Sequence, residues 1–287
     1  MDTIVSKTVT SSDGGYIYAE AIGDPTKPAL VLIPGWTLPG FVFDKQFEDI
    51  KLTKELYLIR YDPRGHGGSV MPETEEGHAS KLYADDFAAV CKAFGVVKPV
   101  VAGWSLAGAI ISDICEHLGH ETISGVIYLA SVPHLGPEFV SQVVPPSLFE
   151  SAAGLFSTDD VAFHKKSLIA FGKSLFVSPE SIPIKTRCAW LGASLFQPPV
   201  VTGLVMQRKQ DPTKLFEAGK NGMPVLFVQG EHDQHRTSKT IIVDMLGEHF
   251  TRKEVVIMEG TGHAFFYEKP EEANKLLLDF TRRVTSS

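Results

Sequence analysis

The sequence predicts an α/β domain: a doubly wound, mostly parallel sheet with a helical subdomain inserted between two of its strands. Three observations carry that expectation. Short, continuously apolar runs recur along the chain, and each ends in small or polar residues, as strands covered on both faces do. Between them lie stretches at helical spacing, such as "ASKLYADDFAAVCKAFG" (79–95), where Leu82, Phe87, Val90 and Phe94 recur on one face. One interval breaks the rhythm. From about His134 to Gly222 there is no long strand run but many aromatics, among them Phe139, Phe149, Phe171 and Trp190, with proline pairs at 145–146 and 198–199. A segment of that size is too long for a loop, so it is expected to form a helical subdomain. The predicted division is a core of residues 1–133 and 224–287 and an insertion of residues 134–223.

The elements follow in order. "IVSKTVT", the turn signal Ser12-Asp13-Gly14-Gly15 and "YIYAEAIG" read as a hairpin. Three buried strands are expected at "ALVLIPG" (29–35), "LYLIRYD" (56–62) and "VVAGWS" (100–105). Further strands are "GVIYLASV" (125–132), "PVLFVQG" (224–230) and, last, "KEVVIMEG" (253–260). In "KPEEANKLLLDFTRRV" a proline and two glutamates precede an amphipathic run, the signature of a closing helix.

Composition narrows the function classes. The 287 residues are 44% hydrophobic and 21% charged, ordinary globular usage. Lys plus Arg is 27 against 34 Asp plus Glu, a formal net charge of −7, which disfavours nucleic acid as a partner because phosphates need clustered cations. The basic pairs Lys165-Lys166 and Arg282-Arg283 read as solvated helix faces. Cys91, Cys115 and Cys188 are too few and too scattered for a disulfide framework or a zinc site, and the first two read as small hydrophobes within helices. No metal or cofactor is expected. The N-terminal stretch has no apolar h-region, and no apolar run approaches the roughly 18 residues of a membrane span. A cytoplasmic location is therefore expected.

The chemistry centres on Gly103-Trp104-Ser105-Leu106-Ala107. Small residues on both sides of a serine, after a buried strand and before a helix, allow the sharp turn that lifts a hydroxyl clear of the sheet. A serine hydroxyl is a weak nucleophile alone, so a base must take its proton and an acid must orient that base. Reacting groups gather at the carboxyl ends of strands in doubly wound sheets. "PVLFVQGEHDQH" supplies Glu231 and Asp233 there, and "VVIMEGTGHAFFYEKP" supplies His263. Ser105, Asp233 and His263 then stand in the chain order of a nucleophile-elbow hydrolase.

With "IPGW", "YDPRGHGGS", "GWSLAG" and the pair "QGEHD" and "GTGH" in order, the chain resembles the α/β-hydrolase superfamily, in its serine-nucleophile group with a helical cap. The resemblance runs from about residue 16 to 284. It implies the α/β-hydrolase fold and places the acid at Asp233, three residues after Gly230, with Glu231 as runner-up. It implies two backbone N–H donors for the oxyanion, those of Leu106 and of Trp36, with Thr37 as the alternative. Members usually have histidine before the loop glycine where this chain has Pro34, so an altered loop shape is expected.

"YDPRGHGGS" reads as structural, with Asp62 and Arg64 suited to a tight turn and a local ion pair. His66, His232 and His235 are expected to be neither base nor ligand, the last two polar loop residues beside Asp233. His134 is a lesser candidate for touching substrate. Serine at the elbow argues against the aspartate-nucleophile branches, haloalkane dehalogenases and soluble epoxide hydrolases, and against the cysteine-nucleophile dienelactone hydrolases. What remains is a serine hydrolase acting on carboxylic esters of small, largely apolar molecules. Lactonase, thioesterase, acyltransferase and perhydrolase are close alternatives. A C–C hydrolase or lyase and a non-catalytic binding module on the same fold are the distant ones.

Overall fold

Eight strands form one sheet in the computed structural model, which describes residues 3–286. They are β1 (Val5–Thr10), β2 (Tyr16–Ile22), β3 (Ala29–Ile33), β4 (Tyr57–Tyr61), β5 (Val100–Trp104), β6 (Gly125–Leu129), β7 (Val225–Gly230) and β8 (Lys253–Met258). Their order across the sheet is β1-β2-β4-β3-β5-β6-β7-β8. β1 with β2 and β2 with β4 pair antiparallel, and every later pairing is parallel.

The continuous apolar runs have a simple cause. Successive side chains of a strand point to opposite faces, so a strand covered on both sides must be apolar at every position. In β3, Val31 and Ile33 join Ile59, Val101 and Val126 on one face, while Leu30 and Leu32 join Leu58, Val100 and Ile127 on the other. Each such buried side chain contributes about 1.5–3 kcal/mol. Edge strand β1 is exposed at five of its six positions, and accordingly its sequence mixes Lys and Ser with Val.

The helices of six residues or more begin with α1 (Ile50–Glu55), α2 (Ser80–Phe94) and α3 (Gly108–His117). Between β6 and β7 come α4 (Pro137–Val143), α5 (Pro146–Ala152), α6 (Val161–Ser174), α7 (Ile184–Leu195), α8 (Pro199–Gln207) and α9 (Thr213–Lys220). The last two are α10 (Ile241–Leu246) and α11 (Pro270–Thr285). Asp160 caps α6 by accepting the Phe163 N–H at 2.9 Å. α11 has Pro270 in its first turn, Glu271 and Glu272 beside it, and Arg282 and Arg283 in its last turn, charges that complement the helix dipole.

A separate apolar cluster of Ala152, Leu155, Leu168 and Phe171 fills the space among the inserted helices and packs against Trp36. α9 instead lies on α3: Leu215 joins the core beneath the sheet, and Lys214 Nζ donates to the Glu116 carbonyl at 2.6 Å. Among the described residues no single helix is long and apolar enough to cross a membrane.

The ion pair expected between Asp62 and Arg64 does not form. Asp62 accepts the Gly40 N–H at 2.6 Å and the Gly68 N–H at 2.8 Å, so one amide from the segment after β3 and one from the turn itself satisfy the carboxylate. Arg64 turns away and forks onto Asp86 of α2 through Nε and Nη2, both at 2.8 Å, with Asp13 at 3.0 Å from Nη1. A fully buried guanidinium needs a bidentate carboxylate, and Asp86 of the helix supplies the shorter such pair. His66 is buried within the same turn, its Nδ1 3.1 Å from the Arg64 carbonyl, and desolvation pushes its pKa down to about 4.

Candidate active site

β5 ends at Trp104 and α3 starts at Gly108, so the chain reverses within three residues. Ser105 takes φ 55, the left-handed region that non-glycine residues enter only under strain. Neighbouring contacts hold it there. The Ser105 carbonyl accepts the Val132 N–H at 3.0 Å and the Ser131 hydroxyl at 2.6 Å. Room for the turn comes from two close approaches. A Cβ on Gly108 would lie 2.1 Å from Ser131 Oγ, and one on Gly35 would lie 3.0 Å from Ser105 Cβ. The motif's fifth residue, Ala107, is buried in the core and carries its methyl without such a clash, so the tight position falls one residue later.

The loops after β7 and β8 bring the two other residues to this turn. His263 Nε2 is 2.7 Å from Ser105 Oγ, and His263 Nδ1 is 2.8 Å from Asp233 Oδ2. Asp233 also accepts the Gln229 side-chain amide on Oδ2 and the His235 N–H on Oδ1 at 2.7 Å. Burial alone would raise the Asp233 pKa. The charge of His263, its hydrogen bond and the field of Arg236 outweigh burial and take it well below the usual carboxylate range. Desolvation holds His263 below the ordinary histidine value, with Asp233 opposing it. Trp104 supports the imidazole from the elbow side: its indole N–H donates to the His263 carbonyl at 3.0 Å, and the two rings lie 5.5 Å apart.

The runner-up acid is turned away, since Glu231 accepts the Gly260 N–H and pairs with Lys239. His232 is exposed beside it. His235 departs from the sequence expectation of a polar loop residue. It is 2% exposed, its ring stacks on His263 at 4.1 Å, and its Nε2 is 2.7 Å from Ser174 Oγ of α6. Burial drives its pKa well below the histidine value. The reason is geometric: the loop must turn its backbone N–H onto Asp233, which swings the ring inward between His263 and Phe171. Its position two residues after an aspartate, where Asx turns place a bonded N–H, was the available signal. His134 stacks on Phe139 at 4.5 Å and meets Phe216 at 5.8 Å, and it does not line the cavity at Ser105.

That cavity, of about 120 Å³, is bounded by Ser105, Leu106 and Trp36 below and by side chains such as Val140, Phe149, Phe156 and Met206 of the insertion above. Its walls also include His235 and Arg236, two polar groups that sequence reasoning missed. Arg236 is buried and bonded to the carbonyls of His235 and Ala130. Trp36 donates its indole N–H to the Thr202 carbonyl of α8 at 3.1 Å, and Thr37 adopts φ 66 with its hydroxyl 2.9 Å from Ser194 Oγ. Among the described residues no group of three or more His, Cys, Asp or Glu could hold a metal ion.

Comparison with known proteins gives the same architecture. The bifunctional esterase/perhydrolase DCH of Acinetobacter calcoaceticus is 25% identical over 283 residues, covering 96% of this chain and 99% of its own. A putative aryl esterase from Burkholderia cenocepacia superposes with a TM-score of 0.87 at 27% identity, covering 99% of this chain and all of its own. The esterase RhEst1 from Rhodococcus sp. ECU1013 gives 0.85 at 26% identity, with 97% and 99% covered. A family model described as the alpha/beta hydrolase family matches residues 30–276, from β3 into the closing helix and so across every parallel strand and all three hydrogen-bonded residues. With a strand-turn-helix at Ser105 and this match over most of its length, the chain belongs to the alpha/beta hydrolase family.

Proposed function

We propose that the protein is a serine hydrolase that cleaves carboxylic esters of small, largely apolar molecules through an acyl-enzyme on Ser105. The observation that carries the reading is the unbroken hydrogen-bond chain from Ser105 Oγ through both ring nitrogens of His263 to Asp233, beside an apolar cavity. Asp233 as a carboxylate can only accept, so it selects the Nδ1–H tautomer and leaves the Nε2 lone pair facing the serine hydroxyl. His263 takes the Ser105 proton as Oγ attacks the ester carbonyl. Asp233 stabilises the imidazolium so formed.

The oxyanion of the tetrahedral intermediate accepts the backbone N–H groups of Trp36 and Leu106. Both residues line the cavity with Ser105. Among the described residues the Trp36 N–H has no acceptor, and that of Leu106 lies in the first turn of a helix, where N–H groups have no intrahelical partner. His263 then protonates the leaving alcohol, and water attacks the acyl-enzyme with the same base. The small apolar cavity supports short acyl groups or aromatic alcohols over charged substrates.

Ser105→Ala tests the assignment. Turnover of p-nitrophenyl acetate should fall about 10³-fold or more with the circular dichroism spectrum unchanged, and a fluorophosphonate should label wild type but not the variant. A variant turning over at close to the wild-type rate would remove Ser105 from the mechanism. A second acceptor is supported by the esterase/perhydrolase relative. Hydrogen peroxide in place of water would attack the same acyl-enzyme and release a peracid. Peracid formation from an ester and peroxide, lost in Ser105→Ala, is the corresponding assay.

A further inference from the structure

A second cavity of about 220 Å³ lies between α6 and α7, bounded by Leu38, Leu175, Phe176, Ile184 and Trp190. It does not contain Ser105. One residue, Phe171, lines both this cavity and the one over Ser105. The Phe171 ring stands edge-on to Trp36 at 5.4 Å and 85° and leans on His235 at 5.2 Å, so it forms a wall between the two spaces.

We infer that the second cavity is a substrate subsite for an unbranched hydrocarbon arm of the ester, reached past Phe171, and that Phe171 sets how long an arm the enzyme accepts. The inference rests on the ester-hydrolase reading of Ser105. The lining chemistry identifies the occupant. Apart from two cations the walls are largely aliphatic and aromatic, and both cations are drawn to one exposed carboxylate. Lys173 Nζ and Arg187 Nη1 share Glu180, at 2.7 and 2.6 Å. An arm ending in a methyl group therefore fits the apolar walls. A methylene taken into an apolar pocket shifts selectivity about tenfold or more, so even partial filling would be visible in kinetics.

The test is the ratio of kcat/KM for a long-arm ester to that for p-nitrophenyl acetate, read with p-nitrophenyl octanoate and, for the alcohol side, with octyl acetate. Phe171→Ala removes the wall and should raise one of the two ratios about tenfold or more. Gly172 lines the second cavity only, sits within α6, and a Cβ built there meets nothing within 4 Å. Gly172→Leu alone should lower the ratio that Phe171→Ala raises, and adding it to Phe171→Ala should cancel the gain. Phe171→Leu and the alternative plug Cys188→Trp serve if either variant fails to fold.

Ratios unmoved in Phe171→Ala and Phe171→Leu, or a gain that survives both plugs, would overturn the subsite. Absence of Ser105-dependent turnover of the acetate ester in wild type would sink the subsite and its parent reading together. Ser105-dependent turnover with a ratio that never moves would sink the subsite alone.

Discussion

Gly108→Ala puts one methyl group where the elbow has no room. The new Cβ would lie 2.1 Å from Ser131 Oγ and 2.8 Å from the Val132 carbonyl oxygen, whereas ordinary contacts begin at 3.4 Å. The Ser131 hydroxyl must retreat by about 1 Å or more, a small-to-large change without a compensating void. Its hydrogen bond to the Ser105 carbonyl is 2.6 Å long now and would stretch past the useful range. Overpacking at about 1–3 kcal/mol and a lost hydrogen bond at about 1 kcal/mol together predict a destabilisation of about 2–4 kcal/mol. The same movement shifts the serine backbone, and a displacement of about 1 Å at a reacting group can cost about 10²-fold in rate.

Urea unfolding followed by circular dichroism gives the first quantity, and kcat/KM on p-nitrophenyl acetate gives the second. Ser131→Ala alone should cost about 1 kcal/mol. Combined with Gly108→Ala it should fall short of additivity by about 1 kcal/mol, because the methyl then meets no hydroxyl. A Gly108→Ala protein within about 0.5 kcal/mol of wild type, and within a few-fold of its activity, would refute the steric argument for the elbow.

Acid should weaken the fold before the carboxylates titrate. Desolvation pushes buried His66 and His78 to about 4, whereas the unfolded chain binds these protons at its ordinary histidine value of 6.5. Below 6.5 the unfolded state gains protons that the native state refuses. The stabilisation is complete above 6.5 and declines as pH falls, by about 2 kcal/mol per histidine between pH 7 and pH 5. Urea midpoints that stay flat across that range would contradict it. For activity, burial holds His263 below 6.5, so the acid limb of kcat/KM belongs below that value. A limb at or above 6.5 would show that the imidazole is more solvated than its burial implies. Asp86→Ala strips a fully buried Arg64 of its bidentate partner and should cost about 3–5 kcal/mol in urea unfolding. A loss below about 1 kcal/mol would mean that Asp13 suffices.

Much of the fold was legible because buried parallel strands leave unmistakable apolar runs. The runs at 29–35, 56–62, 100–105 and 224–230 contain β3, β4, β5 and β7. That Ser105, Asp233 and His263 would meet was legible for a related reason, since Ser105 closes one such run and the other two each lie three residues after theirs. What escaped is whatever depends on contacts between segments remote in sequence. Asp62 and Arg64 are neighbours in the chain, and nothing local says that one is satisfied by amides while the other reaches α2. The burial of His235 is set by Ser174 and Phe171 on a helix some 60 residues earlier, which no periodicity announces. Phe171 itself read as one aromatic among many in the insertion, because a wall between two cavities has no sequence signature.

The indole that precedes the serine has a mechanical consequence. Trp104 grips the carbonyl of residue 263 with its N–H, and its ring touches Phe266 at 5.0 Å and Trp190 of α7 at 6.0 Å. The hydroxyl and the imidazole are thus bolted to the central strand by adjoining residues, and the insertion is pinned to the same side chain. His263 follows the edge strand β8, and the indole ties its loop to the middle of the sheet. In a thermal ramp, loss of ester turnover and loss of far-ultraviolet ellipticity should therefore coincide, because fraying of β8 alone leaves that tie in place.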